Sequence, residues 1–139
     1  MPSVSFLSTD NLEDFFVYDE LLIPYFNDCD WSVETISWHK KAENWDRFDY
    51  VIVRSTWDYQ QHAEAFLACL EEIEASTATL LNPLSLIRWN IEKHYLKDLQ
   101  DKGVPIVKTQ WESAYDNSVI NDAFSSFKCD TLVVKPTLS

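Results

Sequence analysis

Glycine is almost missing from this chain: Gly103 is the one glycine in 139 residues. A loop that wraps a phosphate in backbone N–H groups needs several residues free to take positive φ, so no such loop can be built from these residues. Cysteine is sparse as well. Cys29, Cys69 and Cys129 are odd in number and far apart, which gives neither a disulfide framework nor a zinc pattern. The expectation is therefore reduced thiols in a cytosolic protein, and none lies in a histidine-bearing motif that would point to a catalytic cysteine. His39, His62 and His94 are scattered among polar neighbours, and solvated surface is the reading for each. Basic residues number 11 against 23 acidic ones, a net charge of −12. That excludes an electrostatic nucleic-acid binder, which needs a basic face, and the acidity itself reads as solubility. Long apolar runs are also lacking. Met-Pro-Ser-Val-Ser-Phe-Leu at the N-terminus has no basic region, so we expect no signal peptide, no membrane span and a cytoplasmic location.

What is present suits a globular protein: 46% hydrophobic residues, with six Trp, six Tyr and eight Phe to fill a core. The length fits one domain, or one and part of a second. Short apolar runs alternate with helical periodicity. Ser3–Ser8, Ser32–Trp38, Asp49–Arg54, Thr79–Leu81, Ile106–Thr109 and Leu132–Lys135 read as strands. The unbroken Tyr-Val-Ile-Val run before Arg54 suggests a strand covered on both faces. Phe15, Phe16, Leu22, Ile23 and Phe26 fit a helical stripe that Pro24 shortens or kinks. Gln60–Ala75 reads as a helix with Phe66, Leu67, Leu70 and Ile73 inward. A further helix is expected over 90–102, closed by Gly103 as a left-handed cap and stopped by Pro105. Asp116–Phe127 completes the set. Strands separated by helical crossovers imply a mainly parallel α/β sheet. The Asn82-Pro83 turn marks the expected boundary between residues 1–83 and residues 84–139.

Three stretches carry chemistry. Arg54-Ser-Thr-Trp-Asp-Tyr59 follows the strongest strand, and open α/β sheets bind ligands at carboxyl strand ends. Arg54 offers a fork for a carboxylate or phosphate. Ser55 and Thr56 offer hydroxyls, and Asp58 can accept from an amine. Against this, Thr56 or Asp58 could cap the next helix and Trp57 could pack in the core. Lys93 and Lys97 share a helix face, which alone reads as solvated. Lys135 ends an apolar run, where an ammonium pays for desolvation unless an anion is near or the stem snorkels.

In order, Arg-Ser-Thr-Trp-Asp-Tyr, Leu-Leu-Asn-Pro, Arg-Trp-Asn-x-x-Lys-x-Tyr-Leu, Lys-Gly-Val-Pro-Ile-Val-Lys-Thr and Val-Val-Lys-Pro resemble the ATP-grasp superfamily. The resemblance is closest to its glutathione-synthetase-like and RimK-like ligases. It implies a parallel-sheet, Rossmann-like pre-ATP-grasp domain followed by the start of an ATP-grasp subdomain. It implies ATP-binding roles for Lys93 and Lys135, with Arg54, Ser55, Thr56 and Asp58 toward the substrate. It implies an ATP- and Mg²⁺-dependent ligase that joins a small-molecule carboxylate to an amine or thiol through an acylphosphate. The family's glycine-rich loop and metal ligands have no counterpart here, so no catalytic or metal residue is assigned, and the chain by itself is expected to be inactive. The alternative is a non-catalytic α/β module that binds a small molecule or dimerises; the abundant aromatics allow an exposed patch and a homo-oligomer.

Overall fold

A computed structural model of the chain describes residues 1–13 and 15–138. It divides into two compact units, Met1–Trp89 and Asn90–Ser139, a split six residues after the turn at Asn82-Pro83.

The first unit is a four-stranded parallel sheet. Its strands are β1 (Ser3–Ser8), β2 (Ser32–Ser37), β3 (Tyr50–Ser55) and β4 (Thr79–Leu81), in the order β2-β1-β3-β4. Helix α1 (Asp19–Asp28) connects β1 to β2, and α2 (Ala63–Glu74) connects β3 to β4. β1 is apolar and central, so Val4, Phe6 and Leu7 are buried. Phe66, Leu70 and Ile73 recur at helical spacing on α2 and are almost fully buried, which places that helix on the sheet. Phe26 of α1 meets Phe6 edge-on at 5.5 Å, a favoured arrangement of two ring quadrupoles. Pro24 lies within the ten residues of α1. Phe15 and Phe16 do not belong to the helical stripe expected for them: they precede α1 and are exposed.

The chain leaves β1 toward β2 on one side and returns to β3 on the other, so the direction of winding reverses between β1 and β3. Their register slips between Leu7 and Ser8, where Leu7 pairs with Val53 but Ser8 with Ser55. Arg54 is the residue skipped, a local bulge at the sheet's carboxyl edge.

The second unit departs further from expectation. The helix expected over 90–102 is shorter, α4 (Tyr95–Asp101), and a helix that was not expected, α3 (Leu84–Asn90), precedes it. Gly103 takes φ +79°. Its N–H donates to Gln100 O at 2.9 Å, and that of Val104 to Leu99 O at 2.9 Å, the paired bonds of a Schellman cap. Helix α5 (Asn117–Phe127) starts at Asp116, whose carboxylate accepts from the N–H groups of Ser118 and Val119 at 2.7 and 3.0 Å. Neither Ile106–Thr109 nor Leu132–Lys135 forms a strand. Val107 and Val133 are 86% and 77% exposed. An apolar run alone does not make a strand, because the ladder bonds come from a neighbour.

Candidate functional site

Three carboxyl strand ends are tied together in the first unit. The N–H of Thr9 donates to Ser55 O at 2.9 Å, and that of Trp38 to Ser8 O at 2.8 Å. These bonds bring Thr9-Asp10-Asn11, Trp38-His39 and Thr56–Gln61 to one edge. It is the edge where β1 and β3 diverge, the place at which open α/β sheets hold ligands. A cleft of about 310 Å³ opens there, lined by Thr9, Asp10, Asn11, Phe15, Trp57, Asp58, Gln60 and Gln61.

Asp58 is the best-organised group on this edge. It caps no helix. Its carboxylate accepts from Trp38 Nε1 at 2.8 Å and pairs with His39 Nε2 at 2.6 Å. The indole of Trp38 lies 3.6 Å from the His39 ring and fixes its plane. Burial pushes the Asp58 carboxyl up, but hydrogen bonds from Thr9, His39 and Trp38 outweigh it and hold the group down at about 2. It is therefore an anion at neutral pH. His39 is half-buried, which corrects the surface reading of this residue; His62 is exposed, with its ring 6.1 Å from His39. The His39–Asp58 pair spans 19 residues of sequence, and no local spacing announces it.

Arg54 and Ser55 are organised by a different residue. Asp19, buried as the first residue of α1, accepts from Arg54 Nε at 2.8 Å and Nη2 at 2.7 Å. Its other oxygen accepts from the Ser55 hydroxyl. A carboxylate in the first turn of a helix also faces the positive end of the helix dipole. The Arg54 side chain stays 37% exposed, while Ser55 and Thr56 are buried. Among the four residues expected to face the substrate, Asp58 lines the cleft, and Arg54 and Ser55 form a braced trio with Asp19. Trp57 is 46% exposed and stacks on Phe15 with centroids 5.9 Å apart and planes within 12°, so it is a wall of the cleft and not core.

The second unit brings Lys93 and Lys135 together across 42 residues. The Lys93 N–H donates to Thr137 O at 2.8 Å, and Glu92 bridges to Leu138. Burial lowers the Lys93 pKa, and the charge of Lys135 lowers it further. Two ammonium groups that repel each other are stabilised by an anion between them. No group of three His, Cys, Asp or Glu that could hold a metal occurs among the described residues. The Cys69 thiol is pushed up to about 11, chiefly by burial, which leaves no thiolate for nucleophilic use. No helix among the described residues is long and apolar enough to cross a membrane.

Comparison with known proteins points one way. The family described as the N-terminal domain of D-cycloserine synthetase DcsG matches residues 4–82. The cycloserine biosynthesis protein DcsG of Streptomyces lavendulae is 37% identical over 78 residues, which is 56% of this chain and 26% of that protein. The crystal structure of D-cycloserine synthetase DcsG superposes with a TM-score of 0.68 at 23% identity, over 91% of this chain and 43% of the other. That likeness shows a shared fold. This chain spans about a quarter of the curated relative and under half of the solved one.

Proposed function

Because this chain belongs to the family of the D-cycloserine synthetase DcsG N-terminal domain, we propose that it is the substrate-side portion of a biosynthetic ATP-dependent ligase of the ATP-grasp type. The observation that carries the reading is the coincidence of the matched span with the cleft. Residues 4–82 contain all of the sheet but Ser3, and every residue that lines the cleft at the carboxyl ends of β1 and β3. The family's proteins make a small molecule, and that edge is where an α/β sheet holds one.

Each unit takes one half of the task in this reading. The edge of the first unit holds the small-molecule substrate, with Asp58 fixed as an anion and the Arg54–Asp19–Ser55 trio braced beside it. Thr56 supports the turn that presents Trp57. Arg54 faces the anionic part of the substrate with the exposed part of its guanidinium. In the second unit, Lys93 and Lys135 fit a polyphosphate and would hold the phosphates of ATP. When bound, ATP supplies the phosphoryl group that activates a carboxylate toward an amine or thiol. Lys93 and Lys135 would position the phosphates, whose negative charge would offset the repulsion between the two ammonium groups.

The test is made on the longer ligase polypeptide that carries this sequence. Lys135→Ala should lower ATP-dependent ADP release about 30- to 1,000-fold if one phosphate contact persists into the transition state. Arg54→Ala should instead raise the KM for the small-molecule substrate and leave the KM for ATP within about twofold. An identical ATP defect in both variants would contradict the division of roles.

A further inference from the structure

We propose that the cleft at the carboxyl ends of β1 and β3 is a site for a small organic ammonium, so that the first unit reads the cationic end of its ligand. The inference deepens the substrate-side half of the reading above, and rests on it only in calling the ligand a substrate. Its basis is the lining. Asp10 and Asp58 are carboxylates, Asn11, Gln60 and Gln61 are carboxamides, and Phe15 and Trp57 form a stacked aromatic wall. No lysine, arginine or histidine is among these residues. A cleft built this way repels a phosphate or carboxylate and attracts a cation.

Three features narrow the class of cation. First, two large aromatic side chains stand nearly half exposed at the cleft, 45% for Phe15 and 46% for Trp57. Their stacked pair offers an outer ring face, and an alkylammonium gains from such a face in a way a chloride or acetate cannot. Second, the negative charge is fixed in place. Thr9, Trp38 and His39 hold Asp58 as an anion and orient it, so its field on the cleft is present before a ligand arrives. The oxygens of Asp58 already accept from these groups, which leaves Asp10, exposed at the rim, as the carboxylate that meets the ammonium directly. Third, the surrounding field has one sign. Residues 1–89 hold 16 Asp and Glu against five Lys and Arg, a net of −11, whereas residues 90–139 hold seven against six. The first unit therefore concentrates cations, and steers them most strongly at low ionic strength.

A hard metal ion would be the competing cation. It needs several oxygens of one small cage, and among the described residues no group of three His, Cys, Asp or Glu could supply one. The aromatic wall would add nothing to a hydrated Mg²⁺. The cleft suits an ammonium on a carbon chain.

The test is a titration of the isotopically labelled 139-residue chain with ethanolamine hydrochloride near neutral pH and low ionic strength, followed by NMR. The Trp57 indole N–H and the carboxamide groups of Asn11, Gln60 and Gln61 are the reporters. We expect saturable shifts confined to this cleft. Trp57→Ala should weaken binding about tenfold and Trp57→Phe by no more than about threefold. Asp10→Asn should weaken it about three- to tenfold and make the remainder less sensitive to salt. The Trp57 side chain is half exposed, so its removal does not open the core. Sodium acetate and magnesium chloride should leave the reporters in place. The proposal is overturned if acetate or Mg²⁺ moves the same resonances while ethanolammonium does not, or if Trp57→Ala leaves the affinity unchanged. Either failure would leave the ligase reading standing, because that reading is tested on ATP turnover. Absence of ATP turnover in the unsubstituted longer polypeptide, with ammonium binding retained, would sink the ligase reading alone.

Discussion

At the scale of single residues, the chain uses charge pairs to hold its strand ends. Asp58 is the clearest case and gives a pH prediction. Its carboxyl is held at about 2, against an ordinary unfolded value near 3.9. A depressed pKa means the native state binds the proton less readily than the unfolded chain. The stabilisation is therefore present above pH ~4 and lost as pH falls from about 4 toward 2. Its size is on the order of 2 kcal/mol. Asp58→Asn should remove most of this acid-limb dependence, measured as chemical denaturation at stepped pH; an unchanged acid limb would show that Asp58 does not carry it. In the second unit, Lys135→Gln should raise the Lys93 pKa without restoring its ordinary value, since burial is the larger cause of the shift and Lys135 the smaller. Titration of the lysine side chains by NMR checks this. Little of this pairing was legible in the sequence. Asp58 and Arg54 stood out because they follow an apolar strand. Their partners His39 and Asp19 did not, since they lie 19 and 35 residues away and looked like ordinary surface polar residues.

At the scale of elements, local signals worked wherever the element finds its partners within the chain. β1 and β4 begin and end where the apolar pattern places them, and α2 falls short of its expected span by the turn before Ala63 and by Ala75. Leu70 is fully buried on α2, so Leu70→Ala should cost about 2–5 kcal/mol. Gly103 was readable as a cap from its place after a helical pattern and before Pro105. Its φ of +79° predicts that Gly103→Ala costs about 1 kcal/mol through backbone strain. An added methyl meets nothing within 4 Å, so a much larger loss would point to a steric cause that the structure does not contain. Denaturation midpoints at constant m-value separate these cases. The segments at 106–109 and 132–135 were misread because Ile, Val and Thr satisfy the propensity of a strand, while pairing depends on residues elsewhere.

At the scale of the whole molecule, the two units differ in charge and in degree of closure. The first has a buried sheet and carries a net of −11; the second is near neutral, with six lysines. That asymmetry matches the roles proposed for them, a substrate side and a phosphate side. The most direct measurement of this account is a titration of the labelled chain with Mg-ATP, with residue-resolved NMR shifts as the readout. The account predicts shifts at Lys93, Lys135 and Thr137, a rise in the Lys93 pKa, and a dissociation constant on the order of 1 mM or weaker, since two lysines alone do not enclose a nucleotide. Shifts centred on Thr9, Trp57 and Asp58, or no response at Lys93 and Lys135 at saturating nucleotide, would contradict it.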